Sequence, residues 1–452
     1  SGVLIKVADG MFEKAEVDRW KDDNKSQIAT LKKEVADKKI APEKKLELQS
    51  EIDFLNYTLE KNIPNTSWKN ELVREMFGLK AQKEQLKNTP MYNELSKKVS
   101  DIEGYLKNSD WKKYYTSKIT SLNEMIKTSS DDKQAQENHK ISLEMVNLRL
   151  KYNIVPVDIG KIDWKSQDLQ TLEGSKRQLL QLQTDPNAKN VSSGMDGMRT
   201  PEESKKYLTN QIKLSNHRIE NNIMPVNTQK TQWGLIDDLI SAFINVIIVF
   251  VVIICSGIVA GEFADGTIKL MLIRPFKRWK ILLAKYTTVF IYTIEMMLIL
   301  LASLYIVSGI IYGFASPTTF LYVSGSNVVE QSLILRLLFE TMLNTVPLIS
   351  VFTLAFMIST VFKNSGLSIG ISLLLLFVGG TISQVLAFQF KFEWTKYLLF
   401  TNWNIIAYFN EELSPLLMKG MTLGFSLTVL LVYFAIFNFI SFYIFTKRDI
   451  TT

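Results

Sequence analysis

Glu295 is the one acidic side chain set deep inside a long apolar run. It lies about ten residues into 286–312, near mid-bilayer at ~1.5 Å per residue. A carboxylate facing lipid at that depth costs on the order of several kcal/mol, so Glu295 has to face a cavity, a partner or a neighbouring subunit. Thr288 and Tyr292 fall on approximately the same helical stripe. Two readings follow for the three residues. They line a polar path that touches cationic or polar cargo, or they hold the bundle together by hydrogen bonding. Arg336 and Glu340, four apart in the next apolar run, pair with each other near the outer end and are too shallow to neutralise Glu295.

Charge is concentrated again in 261–285, GEFADGTIKLMLIRPFKRWKILLAK. Lys269, Arg274, Lys277, Arg278, Lys280 and Lys285 stand there against Glu262 and Asp265 alone. Such an excess between two apolar runs marks a cytoplasmic loop. Ile268, Leu270, Met271, Leu272, Ile273 and Phe276 make it too apolar for a free linker, so it reads as a short helix and turn at the membrane surface, open to a partner protein. Gly266 permits a bend, and Pro275 sets the break before the next helix.

Covalent chemistry has no foothold. The two histidines, His139 and His217, lie on polar helical stretches, and neither HExxH nor GxSxG occurs. A Walker A sequence is absent, which closes that route to ATP. The single cysteine, Cys255, lies within an apolar run and forms no intrachain disulfide. No cofactor or metal site is expected in the chain. A sequence pI near 9.0 raises nucleic acid as a partner, but no basic stripe with interleaved aromatics supports it.

The elements that position these residues divide in two. Charged residues crowd into 1–238, which reads as a water-soluble helical region, while 239–452 reads as membrane. Within 1–232, four blocks look like copies of one helical hairpin, opening with Trp20-Lys21, Trp68-Lys69, Trp111-Lys112 and Trp164-Lys165. Three close with a proline stop: Asn62-Ile63-Pro64, Asn153-Ile154-Val155-Pro156 and Asn222-Ile223-Met224-Pro225. Heptad-like seams such as Leu48, Ile52, Leu55 and Leu59 run along the return helices. The tryptophans pack these tails against their own helices. An elongated, coiled-coil-like domain of tandem hairpins results, with a loop over 184–199.

Five apolar segments follow at 239–260, 286–312, 333–361, 366–388 and 421–446, each long enough to cross a bilayer. If 261–285 is cytoplasmic, alternation puts Lys363 and Lys447-Arg448 on that side too. The loop 313–332, which lacks Lys and Arg, and the aromatic connection 389–420 then lie outside. Residues 1–238 also fall outside, so a further membrane helix is expected ahead of Ser1.

The run Gly261-Glu262-Phe263, Gly266-Thr267, Ile273-Arg274-Pro275, Arg278 and Lys285 resembles the first cytoplasmic loop of ABC-2 type transporter permeases. The resemblance covers Trp233 to the C-terminus. Met224-Pro225 before Trp233 looks like members with an enlarged outer domain, and Leu399-Phe400-Thr401-Asn402-Trp403-Asn404 is similar to the family's outer connection. The resemblance implies an all-α, polytopic membrane domain over 233–452 beside the extracytoplasmic hairpin domain over 1–232. It further implies an exporter subunit of the plasma membrane, without enzymatic activity of its own. The chain would dimerise, with itself or a related permease, and a separate ATPase subunit would bind ATP and magnesium. Glu262, Gly266, Thr267, Lys269, Arg274, Pro275 and Arg278 then belong to the element that docks on the ATPase. A membrane-anchored structural or sensory protein, its outer hairpins binding a partner, is the alternative.

Overall fold

The structure, a computed structural model, describes residues 2–36, 41–65, 67–87, 89–156, 163–184, 200–226, 231–268, 276–390, 392–409, 417–418 and 420–447, with side chains from 19 onward. It is nearly all-α, and it divides into two compact units. Ser1–Ala188 with Leu208–Met224 form one unit, and Lys189–Tyr207 with Pro225–Thr452 form the other. The division falls on the last proline stop, slightly ahead of the expected 232–233 boundary. The expected loop over 184–199 lies outside the described residues except for Thr184 itself, which ends a helix.

The first unit is built from α1 (Gly2–Val35), α2 (Pro42–Glu60), α3 (Trp68–Gln85), α4 (Met91–Asn108), α5 (Trp111–Thr128), α6 (Lys133–Lys151), α7 (Trp164–Thr184) and, from Leu208 onward, α8 (Pro201–Asn221). Successive helices from α1 to α7 pack on one another, and α8 is joined to α7 by the Arg218–Asp168 pair. Three of the four Trp-Lys pairs open a helix, because a capping side chain stands just before each. Ser67 accepts the Lys69 N–H at 3.3 Å, Asp110 accepts that of Lys113 at 3.1 Å, and Asp163 accepts those of Lys165 and Ser166. Trp20 is the exception. It lies inside α1 rather than at its start, since Val17-Asp18-Arg19 offers no stop ahead of it.

Four of the helix stops share one geometry. Asn62, Ser109, Asn153 and Asn222 all adopt left-handed φ values, between 49° and 55°. In each case the following N–H reaches back to a carbonyl one turn earlier: Ile63 to Thr58, Asp110 to Tyr105, Ile154 to Arg149 and Ile223 to Arg218. The seams are buried: Ile52, Leu55, Val99, Ile102, Met145 and Ile219 all lie in the unit's cores.

The second unit contains α9 (Gln232–Ile258), α10 (Ala260–Ala264), α11 (Arg278–Tyr312), strands β1 (Thr319–Ser324) and β2 (Asn327–Ser332), α12 (Leu333–Val361), α13 (Ser365–Gln384), α14 (Leu399–Asn402) and α15 (Leu423–Lys447). Among the described residues, five helical segments are long and apolar enough to cross a membrane: Gln232–Ala264, Arg278–Tyr312, Leu333–Val361, Ser365–Gln389 and Leu423–Lys447. α9 is the central element, packing on α11, α12 and α13 through a stripe that includes Ile240, Ile244, Val251 and Cys255. α11 begins at Arg278, well before the apolar run at 286, so the end of the basic loop is already helix.

The stretch 313–332, expected as a plain outer loop, folds over most of its length into a β-hairpin. β1 and β2 pair antiparallel, from Thr319 opposite Ser332 to Ser324 opposite Asn327. Gly325 turns the hairpin with φ +62°, a conformation that favours glycine.

Candidate functional site: the break after α9 and the loop beyond it

A helix that stops inside an apolar bundle leaves backbone groups unpaired, which is costly without water. α9 stops at Ile258, Val259 leaves helical register at φ −104°, and α10 restarts at Ala260. The break is closed from two other spans. Ser359 of α12, fully buried, accepts the N–H groups of both Val259 and Ala260 at 3.1 Å. Lys285 of α11 donates from Nζ to the Ile258 carbonyl at 3.1 Å and forms an ion pair with Glu262 of α10. Both charged side chains are largely buried. The second carboxylate oxygen of Glu262 is buried with no hydrogen-bond partner among the described residues.

The loop beyond is tied to the bundle at both ends. Gly266 turns it with φ +69°. Ile268 is buried among Val259, Leu282, Phe356 and Phe445. At the far end Arg278 donates from Nη1 to the Thr446 carbonyl at 3.4 Å. Thr267 is exposed, as are Phe276 (62 %), Lys277, Trp279 (43 %) and Lys280. Lys269, Arg274 and Pro275, with the apolar 270–273, lie outside the described residues. Of the predicted loop residues, Glu262 and Arg278 therefore turn inward onto their own chain, and Gly266 and Thr267 face out.

The three intramembrane candidates share one side of α11. Thr288, Tyr292 and Glu295 are all exposed there, and the Thr288 hydroxyl donates to the Ala284 carbonyl at 2.8 Å. A different polar contact occupies the interior. Tyr286 and Thr353 share a hydrogen bond of 3.1 Å, and the Tyr286 ring meets Phe352 and Phe356 edge-on. Those partners are 67 positions apart, and nothing in local spacing could have joined them.

At the opposite end of the bundle, Arg336 and Glu340 pair at 2.8 Å, as their spacing indicates, and the Arg336 guanidinium sits 3.5 Å from the centre of the Phe320 ring on β1. Gln232, fully buried, donates to the Tyr305 carbonyl at 3.0 Å and accepts the Ala315 N–H at 3.1 Å. Beside it the Trp233 indole donates to the Ala315 carbonyl at 2.8 Å. In the 389–420 connection, Asn402 donates to the carbonyls of Lys396 and Leu398 and accepts from Ser426. Among the described residues no cluster of His, Cys, Asp or Glu could hold a metal ion.

Two bacterial proteins resemble the chain. It is 41 % identical over 244 residues to the uncharacterized protein YhcI of Bacillus subtilis (strain 168), an alignment spanning 53 % of this chain and 75 % of the relative. It is 28 % identical over 201 residues to the uncharacterized membrane protein YdbK of the same organism, spanning 44 % of this chain and 76 % of that relative. No solved structure matches. With five membrane-competent helices among the described residues and a membrane protein among its relatives, the chain is a multi-pass membrane protein. Residues 215–451, which hold the α9 break, its loop and every span, match the model of a family described as protein of unknown function (DUF2705), and the chain belongs to that family.

Proposed function

We propose that the chain is the membrane-spanning subunit of an ATP-driven transporter of the ABC-2 permease type, an exporter in the plasma membrane. It works as a dimer with separate ATPase subunits that bind the ATP and magnesium, and residues 1–238 lie outside the cell. The observation that carries this reading is the loop anchored at both ends. Glu262 and Lys285 tie its start to α11, Ser359 ties the α9 break to α12, and Arg278 ties its end to α15. A push delivered to the exposed Phe276, Lys277, Trp279 and Lys280 would therefore reach α11 and α15 at once, and α9 and α12 through Lys285, Glu262 and Ser359. Exposed aromatics beside lysines also suit a protein contact, in which such residues act as anchors.

The test is co-purification. The full-length chain should carry with it an ATPase containing a Walker A sequence. Phe276→Ser with Trp279→Ser should weaken that association about tenfold or more while leaving membrane insertion intact, since aromatic anchors contribute ~2 kcal/mol or above. Purification without any ATPase, from cells that express the chain at its natural level, removes the transport reading and leaves the membrane-anchored structural or sensory protein.

A further inference from the structure

Glu295 occupies the middle of α11, with Arg278 and Tyr312 as the ends of the 35-residue helix. The helix packs on its neighbours through Val289, Thr293, Met297, Leu300 and Leu304. At 100° per residue Glu295 points almost directly away from that stripe. It is exposed, and it has no ion-pair partner among the described residues. The other four spans carry no charged residue near their midpoints, and their outward faces at that depth present side chains such as Phe250 and Phe439, which lipid accepts. Neither end of α11 is close enough for a glutamate at its centre to reach water, because each lies about 25 Å away.

The neighbours of Glu295 on this face have a definite spacing. Thr288, Ile291, Glu295, Leu298 and Ala302 alternate steps of three and four, and all five are exposed, Ile291 and Leu298 above 60 %. That is the seam of a left-handed helix pair with a polar residue at its central position, an arrangement that sets register and partner number. A polar group at the bilayer centre needs a polar partner at the same depth. A twofold axis along the membrane normal supplies one without further conditions, because it places each residue of one copy level with the same residue of the other.

We infer that this face of α11 is the contact with a second copy of the chain, closed at its centre by the two Glu295 carboxyl groups, one of them carrying the proton that it donates to the other. The inference names a surface for the pairing in the transport reading, but it stands on Glu295 and its seam alone. Its test needs no ATPase, so the two can fail separately.

The test is oxidative cross-linking of the full chain in native membranes on a Cys255→Ala background. Ile291→Cys and Leu298→Cys should each give a disulfide-linked species of twice the chain mass. Phe439→Cys, on the outward face of α15, should stay monomeric. In the Leu298→Cys chain, Glu295→Leu should lower the dimer fraction about three- to tenfold, the size of interhelical polar contacts in membranes, while Glu295→Gln, which still hydrogen-bonds, should retain most of it. The inference is overturned if inserted Ile291→Cys and Leu298→Cys chains form no dimer, or no more than Phe439→Cys. It is equally overturned by adducts with a polypeptide of another mass, or by a Glu295→Leu chain that dimerises as before.

Discussion

In the hairpin unit a helix end is closed by a residue next door, and in the membrane unit by a residue a hundred positions away. Asn153 turns left-handed and lets Ile154 reach back to Arg149, while Asp110 caps the helix that starts at the very next residue. By contrast, Ser359 closes the α9 break at separations of 99 and 100, Gln232 reaches across 73 positions, and Arg278 across 168. The difference follows from the solvent. In water an imperfect end can borrow a hydrogen bond, so a cheap local device suffices. In hydrocarbon each unpaired backbone group costs several kcal/mol, and only a side chain from another span can supply the bond. Local caps do occur in the second unit, at Thr231 and Asn364, but these lie at helix starts beside loops.

The largest effect is expected where the hairpin unit breaks its own habit. Asp168 of α7 is buried and takes two charge-assisted bonds from Arg218 of α8, at 2.8 and 3.0 Å, with Ser215 at 3.4 Å. Removing one partner of a buried pair strands the other, at a cost of ~3–5 kcal/mol. Asp168→Ala should expose the amides of both Trp164–Thr184 and Pro201–Asn221 to hydrogen exchange together. Protection lost on one helix alone would mean that the pair does not join them.

A smaller but farther-reaching effect is expected at Ser359. Ser359→Ala leaves two buried N–H groups without their acceptor, worth ~1–3 kcal/mol by the usual penalty for an unsatisfied buried donor. Thermal unfolding of the purified chain should shift downward, and hydrogen exchange should rise at Val259 and Ala260 on a different span from the substitution. Unchanged exchange at those two amides would sink the idea that distant side chains close the ends of membrane helices here.

The same contrast decides what is legible in the sequence. Span positions, buried seams and the Asn-Ile-Pro stops were legible because each depends on residues within one or two turns. The Arg336–Glu340 pair was legible for the same reason, being i,i+4. Ser109 escaped notice among the left-handed stops because no proline follows it, and the β1–β2 hairpin escaped because Gly325-Ser326 is a quiet turn signal inside an apolar stretch. The knot at the α9 break was out of reach. The partner of Glu262 there is Lys285 of the next span, 23 positions on, beyond the reach of local helical spacing. Whether Glu295 met a cavity or a neighbour also depended on which way α11 faces, and that is set by packing against α9 rather than by α11 alone.

The smallest effect tests how local the local caps are. Asp110 is partly exposed, and its carboxyl is held below its ordinary value, first by the Lys113 backbone N–H it accepts and then by the Lys113 side chain. A depressed carboxylate pKa in the folded state means that the cap's contribution is complete above the unfolded value of 3.8 and is lost as pH falls through the lower, folded one. Acidification below the ordinary range should therefore loosen the first turn of α5, at Trp111–Lys113, relative to an Asp110→Asn chain. Asparagine caps nearly as well and does not titrate, so it removes the pH dependence while keeping the hydrogen bond. Comparing hydrogen exchange of the two chains at each pH cancels the intrinsic pH dependence of exchange itself. A cap that serves only its own helix should leave α4 and α6 identical in the two chains throughout. A difference that spreads into those helices would show that the hairpin unit, too, closes its ends cooperatively, and would remove the contrast with the membrane unit.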